Sequence, residues 1–179
     1  MRILPLITKL LVISSATIFS SAGIASPADD AAEIHDSIQK LESMLVDSYA
    51  HGISGSEHVF YGKLFDQPRD DAAVIFSIEG FSGGNTLRQY LAVFAKMDLA
   101  NTAQQQKKFQ LIDVRQIGGT GWRVLTRENA RVTSHRIELT GAECERLTAQ
   151  CPKSKDMKFL FDVAFDEVGK FTITESNAQ

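Results

Sequence analysis

Glu79 has the strongest claim to chemistry in this sequence. It interrupts the apolar run Ala72 to Phe81 (AAVIFSIEGF). A carboxylate in such a run is rarely left unpaired, because desolvating a charge is costly. Arg115 and Arg123 are the cationic partners on offer. Asp113 stands two residues before Arg115, so the two share one face of a strand. Asn85, Tyr90 and Trp122 add hydrogen-bonding groups and flat apolar surface. Trp, Tyr and Arg dominate binding energy where they are exposed. Under one reading Glu79 belongs to a structural ion pair in a sheet. Under another, Glu79, Asn85, Tyr90, Arg115, Trp122 and Arg123 gather a ligand. A hydrolytic reading uses Glu79 and Asp113 as acid and base, which for glycosides requires carboxyls about 5–9.5 Å apart.

Other chemistries lack their patterns. Gly80 to Asn85 (GFSGGN) has no following Lys, so it is not a phosphate loop. Gly118 to Gly121 (GGTG) lacks the third glycine and the strand–helix setting of a dinucleotide fingerprint. Both read as turns, where glycine tolerates positive φ. Gly52 to Ser56 (GISGS) approaches a nucleophile elbow but ends in Ser, and no buried strand precedes it. His35, His51, His58 and His135 show no metal-ligand spacing. No catalytic residue, metal or cofactor is therefore assigned.

Cys144 and Cys151 are the two cysteines, in the stretch CERLTAQC. Zinc needs more ligands nearby, and a redox pair favours C-x-x-C. The expectation is a structural disulfide, worth about 2.5 kcal/mol for so short a loop.

An even count of cysteines favours a disulfide in an exported chain, and the N-terminus reads as an export signal. Arg2 and Lys9 precede an apolar stretch, Leu10 to Phe19. That stretch is too short to span a membrane. Gly23 and Ala25 suit the −3 and −1 positions of a cleavage site. Residues 1–25 are thus expected to be a signal peptide, cut after Ala25. Residues 26–179 are expected to form a single domain in the periplasm or outside the cell. No later apolar run reaches about 18 residues, so no membrane span is expected in the mature chain.

Composition agrees with a globular chain. The 179 residues are 44% hydrophobic and 23% charged, with a net charge of −3. Loss of Arg2 and Lys9 takes −3 to −5. Such a balance argues against nucleic acid and anionic lipid as partners.

The positioning elements follow from periodicity. Ile34, Ile38, Leu41, Leu45 and Tyr49 form one helical stripe, predicting a helix over Ser26 to Ala50. Ser26, Pro27, Asp29 and Asp30 suit its start, and Gly52 its cap. Strands are expected at His58 to Phe65, Ala72 to Phe81, Lys108 to Ile117, Trp122 to Leu125 and Ala130 to Leu139. Turns are expected at Asp66 to Asp71 and Ser82 to Asn85. Thr86 to Met97 fits either a helix or the second strand of a hairpin. Phe159, Phe161, Val163 and Phe165 alternate with other residues, and Asp166 to Lys170 turns the chain back into Phe171 and Ile173. The fold class expected is α+β, with one N-terminal amphipathic helix packed on a mainly antiparallel sheet.

FSIEGFSGGN, QYLAVF and LIDVRQIGGTGWR together resemble an uncharacterised family of small secreted bacterial proteins. Its pattern is EGF-x-GGN…YLAVF…IGG-x-GWR. The resemblance runs from Val74 to Ile173 and includes the Cys151-Pro152 pair. It implies that QYLAVF is a strand, which favours the hairpin at Thr86 to Met97, and it implies no reaction.

The function expected is that of an exported, non-catalytic periplasmic binding or accessory protein. Its partner would be a protein or small ligand of the cell envelope. The alternatives are an inhibitor or immunity protein against an envelope hydrolase, and a carboxylate-dependent hydrolase.

Overall fold

A computed structural model of the chain describes residues 27–65, 70–98, 107–145, 151, 153–165 and 170–176. The expected signal segment lies outside these residues. So do most of the expected turns at Asp66 to Asp71 and Asp166 to Lys170. The described residues form one helix and an antiparallel sheet of nine strands.

The helix α1 spans Pro27–Leu45, with Asp29 and Asp30 in its first turn. It ends five residues before the predicted stop. Asp47 explains the difference. Its Oδ1 accepts the N–H groups of Tyr49 and Ala50, each at 2.9 Å. A side chain that satisfies nearby backbone donors competes with the helix for them. Tyr49 consequently leaves the stripe and is 70% exposed. Gly52 is not the helix cap; it belongs to the two-residue strand β1 (His51–Gly52).

The remaining strands are β2 (His58–Gly62), β3 (Asp71–Glu79), β4 (Leu87–Asp98), β5 (Lys107–Gly119), β6 (Arg123–Thr133), β7 (Arg136–Cys144), β8 (Ser154–Phe165) and β9 (Phe171–Ser176). From β3 to β9 each pairs with the next in antiparallel register, while β1 and β2 both pair with β3. Thr86 to Met97 is thus strand, within one residue at either end.

Pairing between β5 and β6 is limited to Gly119 and Arg123. The sheet folds over at this point into two leaves, β1–β5 and β6–β9. Glycine is required there. A Cβ on Gly118 would lie 2.9 Å from the Arg123 carbonyl oxygen, and one on Gly119 2.6 Å from that of Leu87. The apolar core between the leaves holds Ala73, Ile75, Leu91 and Val93 from the first leaf. Ile137, Leu139, Phe159, Phe161, Val163 and Ile173 come from the second. A second cluster lies on the other face of the first leaf. There Ile34, Ile38 and Leu41 of α1 join Val74, Phe76, Ile78, Tyr90, Ala92 and Phe94.

Two expectations need correction. Ala130 to Leu139 is not one strand. The chain turns at Ser134–His135, where His135 adopts φ 62°, and β7 starts at Arg136. Asn129, at φ 62°, lies where the β6–β7 register shifts between Thr126 and Arg131. The residues around the break, Thr133 to His135, are all exposed, so no apolar pattern marked it. Asp71, expected in a turn, is the first residue of β3 and is 1% exposed. Its Oδ2 accepts the N–H groups of Leu64 and Phe65, each at 3.0 Å. Burial pushes this carboxyl up, although those donors act against the shift.

Cys144 and Cys151 form a disulfide, with Cα atoms 5.3 Å apart. No helix among the described residues is long and apolar enough to cross a membrane.

Candidate binding surface

The six singled-out side chains do not form one cluster: Tyr90 and Arg123 are buried, Arg115 lies exposed against β9, and Glu79, Asn85 and Trp122 lie at or beside the loops. Glu79 is the last residue of β3 and is exposed. Its register partner on β1 is His51, and Nε2 of His51 lies 3.4 Å from its carboxylate. The predicted pairing with Arg115 or Arg123 does not form. The apolar run ends one residue before Glu79, so its carboxylate lies beyond the core and needs no guanidinium.

Arg115 and Asp113 act together elsewhere. Asp113 Oδ2 accepts the N–H of Ile173 at 3.0 Å, and Arg115 donates to the Ile173 carbonyl. Two side chains of β5 thereby satisfy both backbone groups of one residue on β9, as a neighbouring strand would. The exposed backbone edge of β9 is covered at that point.

Tyr90 is core. It is 6% exposed and stacks on Phe76 with ring centroids 5.4 Å apart. Arg123 is core as well, 3% exposed. Its Nη1 and Nη2 donate to both oxygens of Glu175, at 2.6 and 2.7 Å, and Nε donates to the Ile117 carbonyl. The guanidinium also lies over the rings of Trp122 and Phe159, at 4.1 and 4.6 Å. A buried fork used on every side is a structural device. The hydrogen bonds from Arg123 hold the Glu175 carboxyl below the usual range.

Asn85 is exposed, and Trp122 is half-buried above Arg123. Their loops meet through Thr120, which sequence reasoning missed. Thr120 donates its N–H to the Leu87 carbonyl at 2.9 Å. Its Oγ1 accepts the Leu87 N–H at 2.8 Å and donates to the Asn85 carbonyl at 3.5 Å. The GFSGGN and GGTGW loops are therefore one hydrogen-bonded unit.

Asp47 adds a third segment. Its Oδ2 accepts the N–H of Ser82 at 2.8 Å, tying the stretch after α1 to the glycine loop. Three backbone donors, Ser82 foremost, hold this carboxyl below its usual range. Ser82 sits at φ 57° and Gly80 at φ 90°, the left-handed region. A Cβ on Gly80 would come 3.0 Å from the Tyr49 carbonyl oxygen, so glycine is needed for this approach. Tyr49 flanks Gly83, and the Arg88 guanidinium lies 3.9 Å over the Phe81 ring. The only advance signal for this tether was an Asp shortly after the helical stripe, ahead of Tyr and Gly.

The resulting surface carries Tyr49, Ser82, Asn85 and Thr120, with the His51–Glu79 pair at its margin. It offers an aromatic ring, hydroxyls and an amide. Among the described residues, no group of His, Cys, Asp and Glu side chains is arranged to hold a metal ion. Comparison with family models, with curated proteins and with solved structures gave no match.

Proposed function

We propose that this chain is an exported, non-catalytic binding or accessory protein, and that its contact surface is the joined loop end around Tyr49, Asn85 and Thr120. One observation carries the reading. Three loops far apart in sequence are tied by Asp47 and Thr120, so the exposed groups are held before any partner arrives. Preorganisation of this kind lowers the entropic cost of binding. Tyr90, Arg115 and Arg123, first considered as ligand groups, serve instead as the frame. The helix α1, through Ile34, Ile38 and Leu41, acts as the cover of the first leaf.

Export is part of the proposal. The signal-like residues 1–25 support it, and the Cys144–Cys151 disulfide is compatible with an oxidising compartment. Intact mass of the protein recovered from cells tests this point: a chain starting at Ser26 is expected, and retention of Met1 would sink it.

The surface is tested by crosslinked pull-down from envelope extract with the mature chain. Wild type and Lys158→Ala, altered on β8 away from these loops, should capture one saturable partner. Tyr49→Ala and Asn85→Ala should lose it. Equal capture by all four proteins, or capture of nothing above background, counts against the proposal. If the partner is a hydrolase, its residual activity in the complex separates inhibition from an accessory role.

A further inference from the structure

A polar stripe runs along α1 on its own account. His35, Gln39 and Glu42 recur at helical spacing and so share one side of the helix. Glu57 reaches them from the connection between β1 and β2. His35 Nδ1 lies 2.8 Å from Glu57 Oε2, and Gln39 Nε2 lies 3.0 Å from His35 Nε2. The Glu42 carboxylate lies against β1, where a Cβ on Gly52 would come within 2.3 Å of its Oε2. The absence of a Cβ at Gly52 leaves room for that carboxylate. The connection itself is hydrogen-bonded to β3. Ile53 donates its N–H to the Ser77 carbonyl, Ser56 to the Ile53 carbonyl, and Ser77 to Ser56 Oγ, each at 3.0 Å.

We propose that His35, Glu42 and Glu57 form a proton-operated latch, which holds the 53–57 connection on α1 when the imidazole is charged and loosens it when the imidazole is neutral. The charge balance supports this. An imidazolium faces Glu57 from the connection, with Asp36 and Glu42 on its own helix. Once the ring is neutral, Glu42 and Glu57 repel each other without that counter-charge. Tyr61 on β2 and, beyond it, Asp30 on α1 also lie on this side, and the Lys96 ammonium of β4 is paired with Asp30.

Both ends of the cluster favour protons in the folded state. The hydrogen bond to Glu57, then its charge, hold His35 above the usual histidine range. Burial, then Glu57, push Glu42 up. A group whose folded pKa is raised contributes stability fully below its unfolded value. That contribution is lost as pH rises through the folded value. The two contributions therefore have the same sign, and for His35 the loss falls in the range above about pH 6.5. His35 is largely exposed, so the consequence is local opening of the connection, not global unfolding. Gln39 lies 3.0 Å from Nε2, and in the charged state its amide oxygen accepts the Nε2 proton while Nδ1–H donates to Glu57.

The test is NMR on the mature chain between about pH 5 and pH 8. His35 should titrate above the ordinary histidine value, and Glu57→Gln should lower that midpoint. Amide protection at Ile53, Ser56 and Ser77, corrected for intrinsic exchange, should fall as pH rises. The Cys144 amide, bonded to the Trp122 carbonyl, should not change. His35→Gln, a surface substitution that leaves the core intact, should abolish the pH dependence. An ordinary or lowered His35 midpoint overturns the latch. So does constant protection at the three amides, or a wild-type pH dependence in His35→Gln.

Discussion

The two leaves use the same antiparallel pairing but meet their surroundings differently. In β3 every residue from Asp71 to Ile78 is buried, odd positions facing the second leaf and even positions facing the cluster shared with α1. In β7 burial alternates at its start, with Ile137 and Leu139 inside and Arg136 and Glu138 at the outer face. That outer face holds cross-strand pairs: Lys158 with Glu138 at 2.7 Å and Arg136 with Asp162 at 2.6 Å. A strand covered on both sides reads as a continuous apolar run, whereas a strand covered on one side reads with period two. The difference between AAVIFSI and FLFDVAF is therefore a record of what lies over each leaf.

The largest effect is expected at the doubly covered leaf. Phe76→Ala should cost about 3–5 kcal/mol, because it empties a fully buried site that a stacked Tyr90 cannot refill. Urea denaturation measures it. A loss under about 1 kcal/mol would mean that the face towards α1 is not core.

Next comes the charge buried within the second leaf. Arg123→Ala should cost about 3 kcal/mol, since it strips Glu175 of its partner and vacates the space between Trp122 and Phe159. The pH response gives an independent sign. Glu175 is held below its usual range, so its contribution is present above the unfolded carboxylate value and lost as pH falls through the folded one. The latch on α1 responds the opposite way. An acid limb of the stability profile that shrinks in Glu175→Gln but not in His35→Gln, whose effect is confined to local exchange at neutral pH, would sharpen the contrast between the regions.

Replacing both cysteines by Ser should lower stability by about 2.5 kcal/mol, read as a shift in the denaturation midpoint. A shift confined to the β7–β8 end in amide exchange would localise it. The smallest effect belongs to the solvent face: Lys158→Ala should change stability by no more than about 0.5 kcal/mol. A loss as large as that of Phe76→Ala would erase the distinction between the leaves.

Some of this was legible beforehand. The hairpin through Phe159, Phe161 and Val163 was readable because alternation depends only on neighbours along one strand. The Cys144–Cys151 pair was readable because the chain holds two cysteines and an N-terminus that reads as an export signal. The stripe on α1 was readable, but its end was not, since Asp47 stops the helix partly by bonding Ser82 across 35 residues of chain. The turn at Ser134–His135 carried no glycine and no apolar boundary to announce it.

Local periodicity was enough for the strand-rich class and the N-terminal helix, and the presence of just two cysteines was enough for their pairing. Which polar residues meet emerged from long-range packing. Glu79 found His51, Arg123 found Glu175 across 52 residues, and Thr120 joined two glycine loops across 33. Such pairings depend on where the sheet folds back between Gly119 and Arg123, and charge and hydrogen-bonding capacity alone do not select one partner among several.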